Sequence, residues 1–204
     1  HIDTAAAYGN EDAVGRAIAD STAGRDEVFL TTKLWNADHG RDRTWAAIDA
    51  SLQRLGTDHV DLYLIHWPLL DERRLVETWQ AMIGIRDAGK ATSIGVSNFE
   101  PHHLQLIIDE TGVAPAVDQV ELHPRLPQHA VRDFCASHAI AVESWSPLGG
   151  SGSGWGQAST PNTLLSDPTL ARIAERHAVS VAQVIVRWHL QNGLIVIPKS
   201  VHEN

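Results

Sequence analysis

The run Val60-Asp61-Leu62-Tyr63-Leu64-Ile65, closed by His66-Trp67-Pro68, decides the fold class together with the thirty residues after it. The run is short, apolar and rich in aliphatic side chains, as a buried strand should be. From Leu75 to Ala88 the apolar positions then recur with a helical period. Gly89 marks a stop, and a second strand-like run, Ser93-Ile94-Gly95-Val96, begins. Strand, helix, strand with no hairpin between them is the signature of a βα unit on a parallel sheet.

The same unit repeats in both directions. Strand-like runs are expected just before Asp3, at Val28 to Thr32, Ala116 to Val120, Ile140 to Ser144 and Ile195 to Ile197. Helices are expected at Glu11 to Ala19, Thr44 to Leu55, Pro101 to Glu110, Ala130 to His138, Pro168 to His177 and Val181 to Gln191. Asp42 and Thr44 precede one helix as caps, Gly56 follows it, Pro101 sits in a first turn and Gly193 follows the last helix. Seven successive units fit a (β/α)8 TIM barrel better than a doubly wound sheet. Such a barrel usually takes ~250 residues, and the sequence opens inside a strand at His1-Ile2-Asp3 without an initiator Met. The expectation is therefore one barrel domain over residues 1–204, incomplete, with the first strand unit and the C-terminal helix and tail absent. The Gly/Ser-rich stretch Gly149 to Gly156 reads as a mobile loop over a ligand rather than a domain boundary.

Composition narrows the function. With 204 residues, 43% hydrophobic content and 20% charge the chain is globular, and 16 basic against 25 acidic residues give a net charge of −9. Such a balance opposes binding to nucleic acid or to an anionic membrane. The single cysteine, Cys135, forms no internal disulfide and reads as a small buried hydrophobe in a cytoplasmic protein. No apolar run reaches the ~20 residues that span a bilayer. Twelve histidines raise the question of a metal, but no His-Glu-x-x-His run is present, and His102-His103, His129, His138, His177 and His189 mostly fall on helical faces; no metal is expected.

In a parallel barrel the chemistry sits where strands end. The exits carry Asp3, Lys33, His66, Ser97 with Asn98, Gln119 with Glu121, Trp145 with Ser146, and Lys199 with Ser200. Tyr8 lies five residues past Asp3, beside Gly9. A phenol titrates near pH 10 and becomes a useful acid at neutral pH only if a cation stabilises its phenolate. Lys33 could supply that charge, Asp3 could hold the lysine charged, and His66 could orient a substrate oxygen. This set suits proton delivery to a carbonyl oxygen. The competing structural reading makes Lys33 and Asp3 a buried ion pair between strands and His66 a satisfied core histidine.

Seven ordered motifs carry a resemblance. They are His1-Ile2-Asp3-Thr4-Ala5-Ala6-Ala7-Tyr8-Gly9-Asn10-Glu11, Thr32-Lys33-Leu34-Trp35, Asp61-Leu62-Tyr63-Leu64-Ile65-His66-Trp67-Pro68, Gly95-Val96-Ser97-Asn98-Phe99, Gln119-Val120-Glu121-Leu122-His123-Pro124, Ser146-Pro147-Leu148-Gly149 and Ile197-Pro198-Lys199-Ser200. Along its whole length the chain resembles the aldo-keto reductases, and most of all the bacterial branch that includes 2,5-diketo-D-gluconate reductases. The resemblance implies a catalytic tetrad of Asp3, Tyr8, Lys33 and His66, with Tyr8 as general acid and a nicotinamide supplying hydride to an aldehyde, ketone or keto-sugar. It implies that Ser97, Asn98 and Gln119 hold the nicotinamide carboxamide, that Trp145 stacks on the ring, and that Asp3, Ser146 and Leu148 line the cofactor site. Lys199 and Ser200 match positions near an adenosine 2′-phosphate, which favours NADPH (NADP+) and leaves NADH as a second option. Trp35 and Trp67, with His66, match the substrate pocket wall, and Trp155 could join them from the glycine-rich loop. Trp45, Trp79 and Trp188 read instead as packing between barrel and helices.

The expected partner is a small carbonyl compound met by a monomer. The alternative is a cofactor-binding redox-sensing or regulatory subunit of the same fold. Relatives of that kind generally carry another residue where this chain has His66, so the intact set favours an enzyme.

Overall fold

Strands β1 (Ile2–Asp3), β2 (Leu30–Leu34), β3 (Val60–Ile65), β4 (Ala91–Ser97), β5 (Val117–Glu121), β6 (Ala141–Trp145) and β7 (Ile195–Val196) pair side by side in chain order, all parallel. The computed structural model describes residues 1–149 and 163–199. Between the strands run helices α1 (Glu11–Asp20), α2 (Arg41–Leu55), α3 (Glu72–Asp87), α4 (Pro101–Thr111), α5 (His129–Ser137), and the pair α6 (Pro168–His177) and α7 (Val181–Gln191). A doubly wound sheet must reverse its strand order at one point. Here the order never reverses, so the sheet curls as an incomplete (β/α)8 barrel.

Strand alternation gives each face its job. On β3, Tyr63 and Ile65 join a core with Leu30, Ile48, Trp79 and Met82 between sheet and helices, whereas Leu62 and Leu64 belong to a second cluster with Val117. The register Thr31↔Leu62 and Lys33↔Leu64 puts Lys33 on that second, inner face. Inner space is tight. A Cβ at Gly95 would meet the Val117 carbonyl oxygen at 2.5 Å and Leu64 Cδ2 at 2.8 Å. Only a glycine lets β4 and β5 approach so closely there.

Outside the sheet, α1 and α2 touch so closely that a Cβ on Gly15 would lie 2.4 Å from the Leu55 carbonyl oxygen. Beside them the buried Glu11 accepts from Thr32 Oγ1 at 2.5 Å, Ser51 Oγ at 3.3 Å and Arg54 Nε at 2.7 Å, tying α1 to β2 and α2. The three donors and the guanidinium charge compensate an otherwise costly buried carboxylate. Trp79 is fully buried and donates to the Val113 carbonyl at 3.0 Å, while Trp45 and Trp188 pack against the same core. Cys135 is a free, buried thiol pushed up to about 12 by burial, with Asp118 adding to the shift.

Several local expectations need correction. β2 starts at Leu30, not Val28, because Arg25–Glu27 form a 3-10 turn that Val28 closes, and Arg25 holds the Val28 carbonyl at 2.7 Å. The strand then runs through Lys33 to Leu34, so Lys33 lies within it rather than beyond its exit. α2 starts at Arg41 behind Gly40, which has φ +102°, so Asp42 and Thr44 lie in its first turn instead of preceding it. The Thr44 hydroxyl donates back to the Gly40 carbonyl at 2.8 Å. Apart from Gly149, the glycine-rich stretch lies outside the described residues, as does Trp155. No helix among the described residues is long and apolar enough to cross a membrane.

Candidate active site

The inner face collects its polar side chains at one end of the sheet. Asp3 closes β1, Lys33 is the penultimate residue of β2, and His66 follows β3 directly, with its backbone N–H on the Leu34 carbonyl at 3.1 Å. Lys33 is 1% exposed. Its ammonium donates to Asp3 Oδ1 and, at 3.1 Å, to the Thr4 carbonyl. Two oxygens, one of them charged, compensate a cation held out of water.

Tyr8 ends a 3-10 turn, Ala6–Tyr8, which the left-handed Gly9 closes at φ +64°. At 48% exposure its ring stands at the open side of this cluster. Lys33 Nζ lies 5.3 Å from the Tyr8 ring centroid, and the Tyr8 and His66 rings meet edge-on at 5.7 Å. Trp35 meets the other side of His66 edge-on at 5.3 Å. Burial, reinforced by the Lys33 charge, pushes the His66 imidazole down to about 4, against an opposing pull from Asp3. It is therefore neutral at physiological pH and available as a hydrogen-bonding group rather than a cation. His66 Nδ1 is buried without a hydrogen-bond partner among the described residues. The expected four residues thus come together, while Trp67 stands at the rim, 39% exposed.

A second group continues along β4 to β6. Ser97 Oγ donates to the Gln119 carbonyl at 2.7 Å, and Asn98 Nδ2 donates to the His66 carbonyl at 2.9 Å and to Ser97 Oγ at 3.0 Å. Asn98 takes the left-handed φ of +63°, uncommon outside glycine but tolerated by asparagine. Its Oδ1 accepts from Trp145 Nε1 at 2.9 Å, which fixes the indole. Gln119 Nε2 donates to Asp3 Oδ2 at 2.8 Å and to Glu143 Oε2 at 3.1 Å. Among the described residues, Gln119 Oε1 and a second lone pair on Asn98 Oδ1 are left to accept, which matches the two N–H donors of a primary carboxamide. Ser146, with φ +46°, and half-buried Leu148 follow β6. Lys199 lies exposed beyond β7, and Ser200 is outside the described residues.

Glu143 is a functional candidate that its sequence context hides. Its one signal is a carboxylate in the middle of an apolar run. His1, Asp3 and Glu143 offer ligand atoms within 4.8 Å of one another among the described residues. Both Asp3 oxygens there are already engaged by Lys33 and Gln119, and the ammonium opposes a further cation. His189, by contrast, is structural: its ring nitrogens reach the Ile185 and Leu122 carbonyls at 2.8 and 3.1 Å.

Comparison with known proteins bears on this geometry. The family described as the aldo/keto reductase family matches residues 1–204. An aldo-keto reductase of Mycolicibacterium smegmatis is 55% identical over 202 residues, which are 99% of this chain and 70% of that protein. The methylglyoxal reductase DkgA of Escherichia coli is 46% identical over 200 residues, 98% of this chain and 69% of its own. Among solved structures, an aldo/keto reductase from Brucella melitensis superposes with a TM-score of 0.90 at 52% identity, covering 99% of this chain and 72% of that one. A mutant of Gox0644 in complex with NADPH gives 0.86 at 48% identity, covering 98% and 68%.

Proposed function

Because this chain belongs to the aldo/keto reductase family, we propose that it is an NADPH-dependent reductase of small aldehydes and ketones, 2-oxoaldehydes and keto-sugars among them, with Tyr8 as the proton donor. The observation that carries this reading is the meeting of Asp3, Lys33, Tyr8 and His66 at one end of the inner face. The names of the relatives, methylglyoxal reductase among them, favour the small end of the substrate range.

When bound, the reduced nicotinamide supplies the hydride. Gln119 and Asn98 would hold its carboxamide through their free acceptor capacity, and Trp145, pinned by Asn98, would face the ring. The rest falls to side chains around the carbonyl oxygen. The neutral His66 ring orients that oxygen by one hydrogen bond. Tyr8 hands over its hydroxyl proton as negative charge develops, and the Lys33 ammonium beside its ring stabilises the phenolate left behind. Asp3 holds the ammonium in place. The half-buried Trp35 and the rim Trp67 supply apolar walls for the carbon chain.

The test is a panel of methylglyoxal, glyoxal, simple aldehydes and 2,5-diketo-D-gluconate, assayed by loss of NADPH absorbance. Turnover with at least one is expected. Tight NADPH binding with no turnover on any would replace this reading with the regulatory one. Cofactor choice has its own variant. Lys199 is a cation suited to a 2′-phosphate, so Lys199→Ala should raise KM for NADPH by about tenfold while leaving that for NADH near its starting value. An equal rise for both would remove Lys199 from the phosphate site.

A further inference from the structure

Glu143 sits in the middle of β6, wholly buried and directly opposite Gln119 in the β5–β6 register. Its Oε2 accepts from Gln119 Nε2, whereas its Oε1 has no hydrogen-bond partner among the described residues and faces His1 Nδ1 at 3.6 Å. Burying a carboxyl with half its acceptor capacity unused is costly, so a stability role alone accounts poorly for it. The groups around it are His1 and Asp3 from β1 and its flank, Lys33 from β2 and Gln119 from β5; Ile195 of β7 lies opposite it in register.

An amide side chain can face either way, and its neighbours choose. Gln119 has two N–H donors. One goes to Asp3 and the other to Glu143, so both are consumed within the protein. Turning the amide over would set its oxygen against Asp3 Oδ2 and Glu143 Oε2 and deprive both of those oxygens of the Gln119 donor. We propose that Glu143 is a positioning residue for cofactor recognition, which together with Asp3 locks Gln119 so that its Oε1, and never its N–H, is offered to the nicotinamide carboxamide. Burial pushes the Glu143 carboxyl up to about 7, a shift that Asp3 reinforces and that Gln119 and Lys33 oppose. The ionised Glu143 can only accept and so enforces the orientation, while the protonated form still offers Gln119 an acceptor and leaves the choice of face to Asp3.

This inference rests on the proposed nicotinamide site, and a modified cofactor separates the two. The 3-acetylpyridine analogue of NADP+ carries a methyl ketone in place of the carboxamide and has no N–H to donate. Dissociation constants for NADP+ and for this analogue would be measured by quenching of tryptophan fluorescence, on the wild type, Glu143→Met and Glu143→Gln. The Met variant removes the acceptor at similar volume and should bind NADP+ about tenfold more weakly, the effect of roughly one hydrogen bond, while its affinity for the analogue changes less than about twofold. The Gln variant keeps an acceptor oxygen and should restore the wild-type ratio. Equal losses for both ligands in the Met variant, or no loss for either, would overturn the assignment. Should that variant fail to fold, the Gln variant decides, because a wild-type preference for NADP+ over the analogue that collapses in it is equally fatal. A wild type that binds neither ligand would instead refute the cofactor site itself.

Discussion

Replacing Tyr8 by Phe is expected to lower the rate of carbonyl reduction by about 10²-fold or more, the usual scale for loss of a general acid, with the fold and cofactor affinity intact. Tyr8 ends a 3-10 turn and is half exposed, so its hydroxyl is not needed to fill a core. A phenylalanine ring keeps the edge-on contact to His66 and the face offered to Lys33, both of which depend on the ring. Only the proton is lost. Single-turnover rates on the variant, with NADPH titrated separately, would check this. Near-normal turnover with chemistry rate-limiting would strip Tyr8 of its role and leave proton delivery to water or to His66.

The second large effect belongs to Lys33. Lys33→Met should destabilise the protein by about 3 kcal/mol, the low end for removing one partner of a buried ion pair, and should also abolish measurable reduction. The loss of stability arises because the Asp3 carboxylate, 13% exposed at its side chain, keeps only the Gln119 amide as donor. A double variant, Asp3→Asn with Lys33→Met, removes both charges and should recover most of the melting temperature without recovering activity. That divergence distinguishes a catalytic ammonium from a purely structural pair between β1 and β2. If activity returned together with stability, the ion pair would be scaffolding, and the phenolate would need another cation.

Much of this arrangement is legible in the sequence because hydrophobic periodicity and strand exits are local properties. β3 at Val60–Ile65, α6 at Pro168–His177 and α7 at Val181–Gln191 follow from apolar spacing and caps alone, and the parallel order follows from the absence of hairpins. Asp3, Tyr8, Lys33 and His66 can be singled out because each is a polar residue at or near the end of an apolar run. Local patterns miss anything decided by a distant partner. Val28 is β-branched and followed by Phe29, yet the Arg25 guanidinium recruits its carbonyl into a turn. Asp42 and Thr44 resemble caps, but the left-handed Gly40 ahead of them sets the start of α2. Glu143 passes for an ordinary strand residue because its meaning lies in Gln119, on the neighbouring strand and 24 residues away. Glu11 stands out only as part of a motif; its burial between two helices and a strand depends on Ser51 and Arg54, far along the chain.

The bonds around Asn98 run without a break from the indole of Trp145 through the amide to the backbone of His66. The indole proposed to face the nicotinamide and the backbone that carries the His66 imidazole are therefore mounted on one bracket. A change at residue 145 that keeps a flat ring but drops its N–H would slacken the bracket, and the pocket would register the disturbance although nothing lining it had been altered. Under the proposed function, the hold on the nicotinamide ring and the placing of the substrate carbonyl would consequently shift together.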